Sequence, residues 1–92
     1  MKVVWSPKAR RRHDAQINYL IDQHAPQAAQ RLKDRIAEYI SNTLANFPGT
    51  GDHIEQHDFY EVWIPKTKIV LWYRFNSDTL IIIDLWHTSR QR

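Results

Sequence analysis

The spacing of the apolar residues changes at residues 47–52, and this change constrains the fold more than any other feature of the chain. Before it, the apolar residues recur every three or four positions, as in a helix. After it, they form three runs of strand-like residues separated by short polar segments. The break contains Pro48 and both glycines of the chain, Gly49 and Gly51. Helices and strands in separate blocks predict an α+β fold.

Two helices are predicted before the break. The first begins at Ser6-Pro7, since serine is a favoured N-cap and proline suits the first helical position, and it runs to about Gln23. The second begins at Pro26 and continues to the break. Its apolar stripe contains Ala28, Ala29, Leu32, Ile36, Ile40, Leu44 and Phe47. The short link between the helices predicts an antiparallel helical hairpin.

Four strands are predicted around this hairpin. The first is Lys2-Val3-Val4-Trp5, and the other three are the runs 59–64, 68–75 and 79–86, which form a β-meander. The last run is apolar on both faces, so we expect it in the interior of the sheet. The predicted order is β-α-α-β-β-β, with the helical hairpin packed on one face of a small twisted, mainly antiparallel sheet.

Length and composition limit the classes of protein that this chain can form. With 92 residues, it is predicted to be a single domain over 1–92 with a thin core, which a partner covering apolar surface would help. No apolar window is long enough to span a membrane, and no signal-peptide pattern is present. The absence of cysteine excludes disulfides and thiolate chemistry. We therefore expect a cytoplasmic protein without membrane contact.

Charge is unevenly distributed along the sequence. Residues 1–12 hold five basic residues and no acid, residues 66–92 have a smaller basic excess, and residues 52–61 hold four acids and no Lys or Arg. Three of the N-terminal cations, Arg10, Arg11 and Arg12, fall in the first turns of a helix, where the helix dipole disfavours them. A target-binding role would explain this placement, although a solvated helix end is the commoner reason.

Few side chains suggest catalysis. His87 follows the last strand and could move a proton near neutral pH, while Arg74 on the neighbouring strand and Arg90 could hold a phosphate. His53 and His57 lie among the acids of residues 52–61, which we interpret as a solvated polar loop, with a zinc site or an acid–base cluster as alternatives. No metal site or cofactor is predicted. The four tryptophans are interpreted as core and rim residues.

Several segments together resemble the RelE/ParE superfamily of small toxins from type II toxin–antitoxin systems. They are Val4-Trp5-Ser6-Pro7-Lys8-Ala9, Pro26-Gln27-Ala28-Ala29-Gln30-Arg31, the segment 44–51, the strand segment 69–75, and the segment 81–91 that ends His87-Thr88-Ser89-Arg90-Gln91. The resemblance covers nearly the whole chain, and the superfamily has the β-α-α-β-β-β order given above. The ending His-x-x-Arg-Gln and the long hairpin look more ParE-like.

The resemblance implies a growth-inhibiting toxin that a cognate antitoxin neutralises by folding over it. A ParE-like toxin would poison DNA gyrase, with Arg10, Arg11, Arg12 and Arg90 as candidate contacts. The alternative is a RelE-like endonuclease that cuts mRNA on the ribosome by 2′-hydroxyl attack, and a further alternative is a non-catalytic protein-binding domain. Asp52 and Tyr60 stand where the superfamily usually has arginine, which disfavours a RelE-like phosphate site.

Overall fold

The structure is a computed structural model, and it describes residues 1–89. The chain begins with strand β1 and continues through helices α1 and α2, a π-helical turn and a short 3₁₀ turn into a run of four strands. Their bounds are β1 Lys2–Trp5, α1 Pro7–Asp22, α2 Pro26–Glu38, the π-helical turn Tyr39–Leu44, the 3₁₀ turn Pro48–Thr50, β2 Asp52–Ile54, β3 Phe59–Trp63, β4 Ile69–Phe75 and β5 Thr79–His87.

The sheet has the strand order β1-β5-β4-β3-β2. β1 runs parallel to β5, and the other three pairs are antiparallel. The predicted α+β class and the mainly antiparallel sheet are therefore confirmed. β5 lies between β1 and β4, as its two apolar faces predicted.

The interpretation of residues 52–61 as a solvated polar loop is wrong outside residues 55–58, because β2 and the start of β3 lie within it. Asp52 pairs with Glu61 and Ile54 with Phe59, so a three-residue strand, β2, extends the sheet beyond β3. Three residues are too short for alternation to be recognised in the sequence, and this strand depends on its pairing with β3.

The helix boundaries follow local chemistry. The Ser6 hydroxyl oxygen accepts a hydrogen bond from the Ala9 amide at 3.1 Å, which confirms the predicted N-cap, and the same hydroxyl donates to the Ile83 carbonyl at 2.8 Å. The second helix changes from α-helical to π-helical bonding at Tyr39, although its apolar stripe continues through buried Ile40 and Leu44.

The core lies between the helices and one face of the sheet. It contains Ala9, Ile36, Ile40, Leu44, Val62, Ile64, Ile69, Leu71, Tyr73, Leu80, Ile82 and Leu85. On β5 the spacing of these residues changes between Ile82 and Leu85, because Ile82 pairs with Tyr73 whereas Asp84 pairs with Trp72. Ile83 is thus the extra residue of a β-bulge, and the bulge reverses which β5 residues face the helices.

The tryptophans occupy core and rim positions. Trp86 is buried, Trp5 and Trp72 are half-buried, and Trp63 is 60% exposed. No helix among residues 1–89 has the length and apolar character needed to cross a membrane.

Candidate functional site

His87 lies at the end of β5, beside the C-terminal part of α1 and the middle of α2. It is half-buried and lines a groove of about 420 Å³ together with Leu20 of α1, Leu32 of α2 and the turn between β3 and β4. Its Nδ1 atom lies 3.2 Å from the Ser89 amide and 3.1 Å from the Ser89 hydroxyl. An amide can only donate, so Nδ1 accepts and the neutral ring carries its proton on Nε2.

The structure does not bring Arg74 to His87. His87 pairs with Ile69 at one end of β4, whereas Arg74 pairs with Ile81 near the other end. Five residues of strand separate Ile69 from Arg74, which corresponds to about 16 Å. The two side chains therefore cannot hold one phosphate between them. Arg90, the third candidate, lies outside the described residues.

The three arginines in the first two turns of α1 point in different directions, and two of them contact different groups. The Arg10 guanidinium lies 4.4 Å from the centre of the Trp5 ring, and Arg12 bonds to the Asp84 carboxylate. Arg11 is exposed and makes no ion pair within residues 1–89. Successive helical residues differ by about 100° around the axis, so the three cannot form one contact stripe. Their role in binding a target stays a prediction, with Arg11 the side chain most available for it.

Asp84 is a buried carboxylate that was not among the predicted site residues. It is 5% exposed, and its oxygens accept hydrogen bonds from Arg12 Nη1 at 3.0 and 3.1 Å and from the Leu85 amide at 2.8 Å. Lys8 Nζ lies 3.4 Å away. The sequence contained a signal for this contact, since Asp84 is the one acid within the apolar run 79–86. A carboxylate is rarely buried without a partner, so a basic partner could have been predicted for it.

The histidines of the β2–β3 hairpin form a separate group. His53 Nε2 lies 3.6 Å from an Asp58 carboxylate oxygen, and the His57 ring stacks on Phe59 with ring centres 5.2 Å apart. Within residues 1–89, no three His, Cys, Asp or Glu side chains are grouped so that they could hold a metal. β4 separates this hairpin from β5, which carries His87.

Tyr73 connects the centre of the sheet to the segment that follows the helices. Its hydroxyl donates to the Pro48 carbonyl at 2.7 Å and accepts from the Gly51 amide at 2.9 Å. Burial raises the pKa of the Tyr73 phenol, and the hydrogen bond from Gly51 partly opposes this rise. A Cβ atom on Gly51 would lie 2.7 Å from the Glu61 carbonyl oxygen and 2.8 Å from the Tyr73 hydroxyl, so only glycine fits there.

Comparisons with known proteins agree with this architecture. The family model described as "ParE toxin of type II toxin-antitoxin system, parDE" matches residues 3–92. Among solved structures, a chain from the chromosomal ParDE toxin–antitoxin system of P. aeruginosa superposes with a TM-score of 0.77 at 19% identity, over 95% of each chain. At this identity the likeness shows a shared fold. No curated protein sequence matches the chain.

Proposed function

Because the chain belongs to the ParE toxin family of type II toxin–antitoxin systems, we propose that it inhibits bacterial growth by binding and poisoning DNA gyrase, and that a cognate antitoxin neutralises it. The family membership confirms the toxin class that the sequence resemblance predicted. The target and the mode of neutralisation are the parts proposed here.

Among residues 1–89, the separation of His87 from Arg74 argues against the nuclease site that the sequence predicted, and the cations nearest His87 in its groove are Lys66 and Lys68. Cleavage by 2′-hydroxyl attack needs a base within hydrogen-bonding reach of the hydroxyl and a cation beside the phosphate. His87 and Arg74 lie at opposite ends of the β4–β5 pair, and His53 lies on the far edge strand. A toxin that acts by binding gyrase requires no such cluster.

Apolar surface on the hairpin supports neutralisation by a partner. A groove of about 250 Å³ between β1 and the helices is lined by half-buried Val3 and Trp5, with Arg10, His13 and Lys33 also among its lining residues. On α1, Ile21 is 48% exposed. A partly disordered antitoxin segment could order here, because burying apolar area at about 25 cal/mol/Å² offsets the cost of ordering it. We expect a neighbouring gene to encode a small protein that co-purifies with this chain and restores growth.

The deciding experiment is induction of the chain in bacteria without its antitoxin, with DNA breakage and mRNA cleavage measured in the same cultures. Gyrase poisoning predicts DNA breaks and filamentous cells while messages stay intact. Addition of the purified chain to purified gyrase and plasmid should then produce linear DNA. Rapid translation arrest with cut messages would favour the RelE-like alternative. Normal growth under confirmed expression would favour a plain binding domain.

Two single variants make this test sharper. If the chain were a nuclease, His87→Ala would abolish mRNA cleavage while folding and antitoxin binding persist. For a gyrase poison, the same variant should reduce toxicity only in part, through lost packing. Arg11→Ala tests the predicted target contact, and it is preferable to a triple arginine variant because Arg12 also holds the buried Asp84. Complete loss of cleavage in His87→Ala, with clear cleavage by the parent, would overturn the gyrase proposal.

A further inference from the structure

A basic turn joins β3 to β4. We define it as residues 64–69, and its two cations are Lys66 and Lys68. Both side chains line the groove of about 420 Å³ beside His87, and none of the side chains lining that groove is acidic. Neither lysine pairs with a carboxylate among residues 1–89, unlike Lys8 and Arg12 on α1.

The backbone of this turn is held from three sides. The Thr67 amide and hydroxyl both donate to the Ile64 carbonyl, at 3.2 and 2.7 Å. Arg35 of α2 donates to the Lys66 carbonyl at 3.2 Å, and the Thr88 amide donates to the Lys68 carbonyl at 2.8 Å. The two flexible lysine side chains are therefore presented from a fixed base.

Lys66 occupies a backbone position that favours glycine. Its φ angle is 64°, and it follows Pro65 in the turn closed by the hydrogen bond from the Thr67 amide to the Ile64 carbonyl. Proline fixes a negative φ, so this combination corresponds to a type II turn, whose third residue is usually Gly or Asn. Glycine would be less strained at this position, and local stability therefore gives no reason for a lysine.

We infer that the basic turn binds the phosphate backbone of duplex DNA, with the Lys66 and Lys68 ammonium groups as its phosphate contacts. Unpaired lysines on a fixed turn suit phosphate, which they bind as point charges. Proteins that bind single strands usually add several aromatic rings for base stacking, whereas the lining of this groove contains one imidazole, that of His87, and no Phe, Tyr or Trp. A surface that contacts only the phosphates of a nucleic acid favours the duplex, whose bases are already stacked on one another.

This inference goes beyond the proposed function, because it concerns the toxin and DNA in the absence of gyrase. The probe is a fluorescently labelled 20-base-pair duplex, titrated with the purified full chain across a series of salt concentrations. Each phosphate contact contributes about 0.9 to the slope of log K against log salt. In Lys66→Gln/Lys68→Gln, the slope should therefore fall by about 1.8, and affinity at 0.1 M salt should fall on the order of tenfold or more.

A matched control removes the same charge elsewhere. Lys2→Gln/Arg31→Gln changes two exposed cations outside the groove and should leave the slope within error of the parent. Equal losses in the two double variants would show that only net charge matters and would overturn the inference. An undetectable complex with the parent chain would also overturn it. Tighter binding to a single-stranded RNA or DNA of the same length would contradict the assignment of the duplex.

Lys66→Gly separates charge from backbone structure. Glycine suits the positive φ angle, so the variant should melt at the same or a higher temperature than the parent while its affinity for the duplex falls. Affinity equal to the parent in this well-folded variant would show that Lys66 does not contact DNA. A lower melting temperature combined with unchanged affinity would instead show that the lysine serves the turn.

Discussion

The sheet is joined to the rest of the chain in two chemically different ways at two of its strands. On β5, the buried Asp84 carboxylate binds Arg12 and Lys8 of α1, and we call this contact the charged tie. On β4, the Tyr73 hydroxyl binds the Pro48 carbonyl and the Gly51 amide, and we call this contact the neutral tie. The charged tie is made by long, flexible side chains that can change conformation. The neutral tie depends on a close approach of backbone atoms, which cannot adjust in this way.

This difference predicts two kinds of sensitivity. The charged tie should tolerate changes of shape but not the loss of its one anion, because its two cations are partly exposed and can adjust. The neutral tie should be sensitive to any added atom, because a Cβ atom on Gly51 would overlap the Glu61 carbonyl oxygen and the Tyr73 hydroxyl. Four substitutions test the comparison, from the largest expected effect to the smallest.

Gly51→Ala should have the largest effect. The added methyl group would overlap a backbone carbonyl oxygen, which cannot rotate away, so strands or turn must shift and the neutral tie must lengthen. We expect a loss of about 3 kcal/mol in the free energy of unfolding, measured by urea denaturation.

Gly49→Ala is the control for this prediction. A Cβ atom at Gly49 would meet nothing within 4 Å, and no glycine in the described chain has a positive φ angle. The control should change stability by less than about 0.5 kcal/mol. Similar losses in both variants would show that the segment is sensitive to reduced flexibility rather than to crowding.

Asp84→Asn should have the next largest effect. It removes the charge that Arg12 and Lys8 neutralise while preserving the shape of the side chain. Breaking a fully buried ion pair costs about 3–5 kcal/mol, but the Arg12 and Lys8 side chains are 32% and 56% exposed, so we expect about 2 kcal/mol. Asp34→Asn, at an exposed carboxylate on α2, is the control and should cost less than about 0.5 kcal/mol. An Asp84 variant as stable as the parent would show that the charged tie contributes nothing to stability.

Tyr73→Phe tests the neutral tie without adding an atom. It leaves the Pro48 carbonyl and the Gly51 amide without their partner, which should cost about 1–2 kcal/mol at neutral pH. Burial raises the pKa of Tyr73 above its ordinary value of 10.0, so the folded state favours the neutral phenol. This stabilisation is complete below pH 10 and is lost as pH rises through the raised pKa.

Alkaline denaturation provides the second measurement for this variant. The parent should lose stability above about pH 10, and Tyr73→Phe should lose less of its own stability over the same range. Burial also raises the pKa of Tyr39, so Tyr39→Phe should remove a separate part of the alkaline loss without breaking the neutral tie. An alkaline loss identical in the parent and in Tyr73→Phe would contradict the role of the buried phenol.

The two ties also show how far the sequence could predict this molecule. The change of apolar spacing predicted both helices and all strands of five or more residues, since each buries a stripe long enough to be recognised. Neither tie was predicted, because each joins residues more than twenty positions apart. The bulge at Ile83 determines which β4 residues lie opposite Asp84 and His87. It could not be predicted because it depends on pairing with β4. The same pairing places His87 and Arg74 at opposite ends of β4 and β5. The sequence could show that they lie on neighbouring strands, but only the pairing register shows that they are far apart.

Arg10→Ala should have the smallest effect, and it tests whether the charged tie includes all the cations of α1. Arg10 lies over the Trp5 ring rather than near Asp84, so its loss removes a cation–π contact worth about 0.5–1 kcal/mol at an exposed site. Arg12→Ala should cost more, because it leaves the buried carboxylate with Lys8 alone. In the Asp84→Asn background, the cost of Arg12→Ala should shrink while that of Arg10→Ala stays the same, since only Arg12 is coupled to Asp84. If both arginines were equally coupled to Asp84, the carboxylate would respond to the summed positive charge of α1 and not to a specific ion pair with Arg12.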